Sequence, residues 1–113
     1  MNVVKINTSK QLTTQITSST RKGVIKFTRN TCKPCKLFTQ KIKDTDLPID
    51  LYDVDFSENK HLARLFNVTV LPTAVFIDKN QPVARMNGLK DYDDFIELVE
   101  DVSTKGCVVV HWS

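Results

Sequence analysis

The stretch V-I-K-F-T-R-N-T-C-K-P-C-K, residues 24–36, joins a strand pattern directly to a pair of cysteines. Residues 24–28 are rich in β-branched and aromatic side chains, which predict a strand. Apolar residues recur behind the cysteines at helical spacing, at Leu37, Phe38 and Ile42. They predict a helix over residues 32–43, with Pro34 in its first turn, where a missing N–H breaks no hydrogen bond. The cysteines are therefore expected at the beginning of a helix that follows a strand.

The rest of the chain predicts strands and helices in near alternation. Further strand patterns occupy residues 3–6, 50–55, 73–77 and 83–86, the last one after a turn at residues 79–82. Three further helices are predicted, each with a candidate N-terminal cap: Thr8 in a capping box with Gln11, Ser57 opening a helix through Phe66, and Asp91 opening the last helix.

The order β-α-β-α-β-α-β-β-α indicates an α/β fold, with a central mixed sheet of about five strands flanked on both faces by about four helices. The chain has 113 residues, which is the size of one domain. We expect that domain over residues 1–105, followed by a short C-terminal tail at residues 106–113, which contains Cys107 and Trp112.

Composition and charge exclude several classes of protein. Lysines are scattered and the net charge is only +3, so nucleic-acid binding is not expected. No apolar run approaches the roughly 18 residues of a membrane span, and the first twenty residues lack the apolar block of a signal peptide. We therefore expect a cytoplasmic protein without membrane contact. Cysteines in that compartment are kept reduced, which favours a catalytic or metal-binding role over a permanent crosslink.

The spacing of Cys32 and Cys35 admits three interpretations. A structural staple around so short a loop would constrain the unfolded chain by only about 2 kcal/mol. A zinc site needs about four ligands, and the remaining candidates, Cys107, His61 and His111, show no paired spacing, so no metal is expected. A redox couple needs one thiol at a helix N-terminus and a second thiol one turn later, which is the arrangement predicted here.

Several motifs together resemble the thioredoxin family over nearly all of residues 1–104. They are the strand V-I-K-F-T before C-K-P-C-K, the sequence V-L-P-T at residues 70–73, a predicted β-hairpin, Gly88 and a last helix. A lone C-x-x-C is a weak signal, but this combination is specific. The resemblance implies a thioredoxin fold and a thiol-disulfide oxidoreductase that acts on protein disulfides without a bound cofactor.

The resemblance also implies roles for individual residues. Cys32 matches the attacking thiol of the family and Cys35 its buried resolving thiol. Pro72 matches a proline held in cis beside the disulfide, and Leu71 would offer its backbone N–H and C=O to an extended substrate. Gly88 matches a glycine lining the same groove. The implied partners are protein disulfides and a thioredoxin reductase or another thiol reductant, and we expect a monomer.

The sequence departs from the family pattern at four positions. Thr31 stands where the family has a tryptophan, and Gln40 where it has a mid-helix proline. Lys33 replaces a common glycine between the cysteines, and Lys26 replaces a buried aspartate that helps to move the proton of the resolving cysteine. Lys26 should point into a partly buried space, where it must deprotonate, reach water or find a carboxylate, with Asp53 and Asp55 as the candidates. We expect both lysines to tune the redox couple toward thiolate.

Two alternatives stay open at this point. A glutaredoxin-like protein linked to glutathione shares C-x-x-C and the cis proline, although such domains begin at the equivalent of Gly23. A binding module that only retains the cysteines is the other alternative.

Cys107 is expected to take no part in the redox cycle. The last helix should begin near the active site and run away from it for about 22 Å, and Cys107 follows the far end of that helix.

Overall fold

The sheet of this computed structural model, which describes residues 1–19 and 21–105, has five strands. The strands are β1 (Asn2–Ile6), β2 (Gly23–Thr28), β3 (Asp50–Asp55), β4 (Thr73–Asp78) and β5 (Gln81–Asn87). Their order across the sheet is β1-β3-β2-β4-β5. The predicted tail at residues 106–113, with Cys107, lies outside the described residues.

Four α-helices accompany the sheet in the described part of the chain. They are α1 (Ser9–Ser18), α2 (Lys33–Asp44), α3 (Lys60–Leu65) and α4 (Tyr92–Lys105), the last preceded by a 3₁₀ turn at Leu89–Asp91. None of these helices is long and apolar enough to cross a membrane. The predicted α/β architecture of about five strands and about four helices is confirmed.

Strand β2 lies at the centre of a mixed sheet. It pairs in parallel with β3, where Lys26 is opposite Asp53, and antiparallel with β4, where Phe27 is opposite Thr73. Because side chains alternate along a strand, β2 supplies the cores on both faces of the sheet. Val24 packs in one core with residues of α2 and α4, and Ile25 packs in the other with residues of α1 and α3.

Helix α1 begins at the predicted cap. The Thr8 hydroxyl accepts a hydrogen bond from the backbone N–H of Gln11 at 3.1 Å. The Gln11 side chain does not close a standard capping box, because its carbonyl oxygen accepts from the N–H of Asn7 at 2.7 Å. Gln11 also donates to the Lys5 carbonyl at 2.9 Å, so the same side chain ties the helix to the end of β1.

The prediction of a helix opening at Ser57 is wrong, since α3 begins only at Lys60. The Asp55 carboxylate accepts hydrogen bonds from the backbone N–H groups of Ser57 and Glu58, at 2.8 and 3.1 Å. Such a local side-chain bond offers the backbone an alternative to the helix. The chain therefore makes an Asp-based turn at the end of β3 before the helix starts.

The predicted turn at residues 79–82 is also too long. Lys79 and Asn80 alone form the turn, both with positive φ, 53° and 64°, as in the two-residue turns that match the twist of a hairpin. β5 therefore begins at Gln81 and includes Pro82. The proline is tolerated because β5 is an edge strand, where one side of the backbone needs no ladder partner.

The last helix also differs in detail from the prediction. Asp91 was expected as its cap, but the Asp91 carboxylate accepts from the backbone N–H of Asn87 at 3.0 Å, four residues earlier. Asp91 is the last residue of the 3₁₀ turn at Leu89–Asp91, and α4 begins at the next residue, Tyr92. Asp91 therefore fixes the end of β5 against the entry to the helix.

Candidate active site

Cys32 and Cys35 form a disulfide at the N-terminus of α2, with a Cα–Cα distance of 5.2 Å. Cys32 is the N-cap residue, and its Sγ accepts a hydrogen bond from the backbone N–H of Cys35 at 3.2 Å. Cys32 is half-buried, whereas Cys35 is only 2% exposed. One sulfur is thus accessible from outside, and the other faces the interior.

The local sequence places this pair where a thiolate is stabilised. The chain leaves β2 at Thr28 and makes a tight turn in which Cys32 N–H donates to the Arg29 carbonyl at 3.2 Å. Phe38 and Ile42 anchor α2 in the core, and both are fully buried. The positive end of the helix dipole and its free N–H groups therefore lie at Cys32, and both favour a negative sulfur.

Pro72 and Gly88 lie side by side. The Leu71–Pro72 peptide bond is cis, and Gly88 N–H donates to the Pro72 carbonyl at 2.8 Å. Gly88 adopts a φ of +88°, a conformation that side chains with a Cβ rarely adopt. A Cβ built there would contact Val70 only at an ordinary 3.7 Å. The backbone conformation, more than crowding, is what requires glycine at this position.

A cleft of about 390 Å³ adjoins the half-buried Cys32, and we call it the Cys32 cleft. It is lined by Arg29, Thr31, Cys32, Phe56 and residues 68–71. Leu71 thus shares one cavity with the half-buried cysteine. Among the described residues, none donates to or accepts from the Leu71 backbone. The backbone N–H and C=O of Leu71 therefore remain available beside Cys32.

Lys26 is buried on the other side of the pair, with 5% of its surface exposed. Its Nζ donates to the Thr39 hydroxyl at 2.8 Å and lies 3.4 Å from Asp53 Oδ1. Of the two expected carboxylates, Asp53 is therefore the partner, since it faces Lys26 across the parallel pair. Asp55 is instead held in the turn after β3.

Burial is the main effect that disfavours the charged form of Lys26. Desolvation lowers the pKa of Lys26 below its ordinary 10.5, the nearby Asp53 counteracts this, and repulsion from Lys43 and Lys5 adds to the lowering. Lys26 and Cys35 line a second cleft of about 440 Å³, the lysine cleft, together with Lys5, Lys36, Thr39 and Lys43 among others. Lys33, by contrast, is exposed in the first turn of α2.

Sequence reasoning missed two parts of the site. Thr39 lies one helical turn after Cys35, so its place on the same face could have been found from the helix period. Phe56 and Arg29 form the other part, with the Arg29 guanidinium 5.2 Å from the centre of the Phe56 ring. That contact joins the ends of β2 and β3 and depends on strand order, which no local pattern encodes.

Comparison with known proteins agrees with this geometry. The family model described as Thioredoxin matches residues 3–101. The thioredoxin of Mycobacterium tuberculosis strain H37Rv is 30% identical over 101 residues, covering 84% of this chain and 85% of that protein. Thioredoxin H2 of Arabidopsis thaliana is 29% identical over 79 residues, covering 67% of this chain and 59% of that protein.

Solved structures share the fold. A mutant thioredoxin from Halobacterium salinarum NRC-1 superimposes with a TM-score of 0.78 at 22% identity, covering 90% of this chain and 91% of that one. Fasciola hepatica thioredoxin gives a TM-score of 0.74 at 26% identity, covering 88% and 98%. With a Cys32–Cys35 pair that forms a disulfide at the N-terminus of α2, the chain belongs to the thioredoxin family and is a protein thiol-disulfide oxidoreductase.

Proposed function

We propose that Cys32 attacks the substrate disulfide and that Cys35 resolves the product. The difference in exposure between the two sulfurs supports this order, because only Cys32 can meet a disulfide on another protein. The Cys32 thiolate displaces one substrate sulfur as a thiolate and forms a mixed disulfide. Cys35 then attacks the Cys32 sulfur, releases the second substrate thiolate and closes the Cys32–Cys35 bond. Two electrons pass from the protein to its substrate.

Substrate binding is assigned to Leu71, Pro72 and Gly88. The Leu71 backbone groups lack partners among the described residues and adjoin the Cys32 cleft, so an extended segment can pair with them as an added strand. Pro72 and Gly88 fix this part of the chain through the bond from Gly88 N–H to the Pro72 carbonyl. Recognition through backbone groups tolerates many substrate sequences.

The electron donor that fits this site is a thioredoxin reductase or another dithiol reductant, in the reducing environment of the cytoplasm. Helices cover both faces of the sheet, so the fold needs no second subunit, and the working unit is a monomer. A glutaredoxin-like alternative is disfavoured because the family match includes β1 and α1, which lie before Gly23.

Lys26 and Lys33 tune the couple in this proposal. Lys26 shares the lysine cleft with Cys35, and Lys33 follows Cys32 directly at the start of α2. Positive charge near either sulfur stabilises a thiolate and therefore the reduced form. The contact with Asp53 offsets part of the Lys26 charge. The exposed Lys33 is screened by water, so its effect should be the smaller one.

The electron donor can be tested by insulin reduction. We expect turnover when the protein is recycled by thioredoxin reductase with NADPH, and little turnover with glutathione and glutathione reductase. A protein dithiol can pair with the Leu71 backbone as it reduces the Cys32–Cys35 disulfide, whereas glutathione is too small to form such a strand. The Cys32→Ser variant should be inactive in both assays. Faster turnover with glutathione than with thioredoxin reductase would favour the glutaredoxin-like alternative.

Substitution of the resolving cysteine should trap substrates. Cys35→Ser leaves the exposed Cys32 free to attack but removes the thiol that releases the mixed disulfide. Disulfide-linked adducts should accumulate on non-reducing gels and disappear after reduction. The matched variant Cys32→Ser should form none. Equal or greater trapping by Cys32→Ser would contradict the assignment of Cys32 as the attacking thiol.

Replacing Lys26 should change the reduction potential. Lys26→Met removes the positive charge beside Cys35 and leaves Asp53, so we expect a potential more negative than that of the wild type by up to about 30 mV, the equivalent of one pKa unit. Lys33→Gln should shift the potential in the same direction by less. The measurement is equilibration with glutathione at neutral pH, with Lys10→Gln on α1 as the control of equal charge loss. A shift to a less negative potential in Lys26→Met would contradict the proposal.

Burial of Lys26 also predicts a pH-dependent stability. Its folded pKa lies below the unfolded value of 10.5, so between these values the unfolded chain binds more protons and stability rises with pH. The free energy of unfolding of the oxidised wild type, measured in urea from about pH 8 to about pH 10, should therefore rise relative to that of Lys26→Met. Tyr52 and Tyr92, whose pKa values burial raises, act alike in both proteins. If the free energy of unfolding of the wild type instead falls with pH relative to that of Lys26→Met, attraction by Asp53 affects the pKa of Lys26 more than burial does.

A further inference from the structure

We infer that the Cys32 cleft is a side-chain subsite that selects substrate segments with an aromatic residue two positions from the reacting cysteine and an acidic residue beside it. This inference rests on the proposed attack by Cys32. It adds a specificity that backbone pairing with Leu71 does not supply, and it assigns that specificity to Thr31 and Arg29.

The cleft is large enough to hold a large side chain, and it lies beside Cys32. Its volume of about 390 Å³ falls within the range of small-ligand pockets, about 300–1,000 Å³. Thr31 is part of its lining, and the small side chain of a threonine takes up little of this space. Cys32 is part of its wall, so any group that fills the cleft lies close to the sulfur that reacts.

The walls of the cleft favour an aromatic ring. Phe56 forms one wall, and Val70, with 44% of its surface exposed, forms part of another. The Arg29 guanidinium lies 5.2 Å from the centre of the Phe56 ring. A guanidinium and a ring both attract a second aromatic group, by cation–π and by edge or stacked contacts. An incoming ring would also cover the exposed surface of Val70.

The charge of the cleft selects the neighbouring residue. Among the described residues that line the cleft, Arg29 carries the only charge. Lys33, at the start of α2, is exposed next to Cys32 and adds to the positive surroundings. A carboxylate on the residue next to the aromatic one, although its side chain points to the opposite side, is therefore attracted through the electrostatic field of these groups, and an ammonium is repelled. Because these groups are exposed, the preference should be modest and sensitive to salt.

The spacing follows from the way in which an extended segment binds. Successive side chains of such a segment point to opposite sides, so residues two positions apart point to the same side. The substrate cysteine must point toward Cys32, and the cleft adjoins Cys32 on the surface next to Leu71. The residue that enters the cleft is therefore two positions from the substrate cysteine.

Symmetric peptide disulfides test the size preference. Homodimers of X-Ala-Cys-Ala-X, with X as Phe or Gly, place the residue on both sides of the cysteine, so the direction of binding does not matter. The measurement is the second-order rate constant for oxidation of the reduced protein by each disulfide. We expect the Phe peptide to react about tenfold faster than the Gly peptide, because partial burial of an apolar side chain contributes a factor of this order.

Two variants assign this preference to the cleft. Thr31→Trp fills the cleft, so the ratio of Phe to Gly rate constants should fall to about one. Thr14→Trp, which adds the same side chain at an exposed position of α1, should keep the tenfold ratio. Equal rate constants for the two peptides with the wild type would overturn the inference, and so would a Phe preference that survives in Thr31→Trp.

A second peptide pair tests the charge. With Glu or Lys added outside each Phe, the Glu peptide should react about threefold faster at low salt, and the difference should vanish near 1 M salt and shrink in Arg29→Gln, where Lys33 keeps its charge. Faster reaction of the Lys peptide would overturn the inferred preference for an acidic residue. If neither peptide oxidises the protein and Cys35→Ser traps nothing, attack by Cys32 is wrong; if all peptides react equally, attack by Cys32 stands and the subsite is wrong.

Discussion

The two different pairings of β2 determine where the active site lies. Because β2 runs parallel to β3 and antiparallel to β4, its C-terminal end lies beside the start of β4, with Phe27 opposite Thr73. Cys32 follows the first of these ends and Pro72 precedes the second. Cys32 and Pro72, which are forty positions apart in the sequence, therefore lie at the same end of these two neighbouring strands. The cores on both faces hold β2 in this register, since a slip by one residue would turn its apolar side chains to the wrong faces.

The same register creates the electrostatic problem at Lys26. The parallel pairing sets Lys26 opposite Asp53, and α2 covers the pair with Thr39. A buried ammonium without these partners would be costly. The hydrogen bond to Thr39 and the contact with Asp53 reduce that cost, but burial still lowers the pKa of Lys26. A cation can therefore occupy this position only because a neighbouring strand and a helix supply its partners.

The sequence predicted the parts of the molecule that depend on local patterns, such as the strand into the cysteines and the helix behind them. The errors lie where one or two residues determine the local structure. The Asp55 carboxylate accepts hydrogen bonds from two backbone N–H groups, so α3 begins later than predicted. Lys79 and Asn80 form a turn of two residues, so β5 begins earlier than predicted. Other parts of the site depend on distant neighbours. The predicted burial of Lys26 left a carboxylate partner as one of three outcomes, and the choice of Asp53 over Asp55 needed the register of β3.

Two of the departures from the family pattern, Thr31 and Lys26, lie beside different sulfurs. Thr31 lines the Cys32 cleft together with the half-buried Cys32, and Lys26 lines the lysine cleft together with the buried Cys35. In our proposal, the first cleft decides which segments reach Cys32. We propose that the second cleft sets the charge around Cys35 and thus the stability of the dithiol form. Because Thr31 and Lys26 line different clefts, we expect substrate preference and redox potential to vary independently of each other.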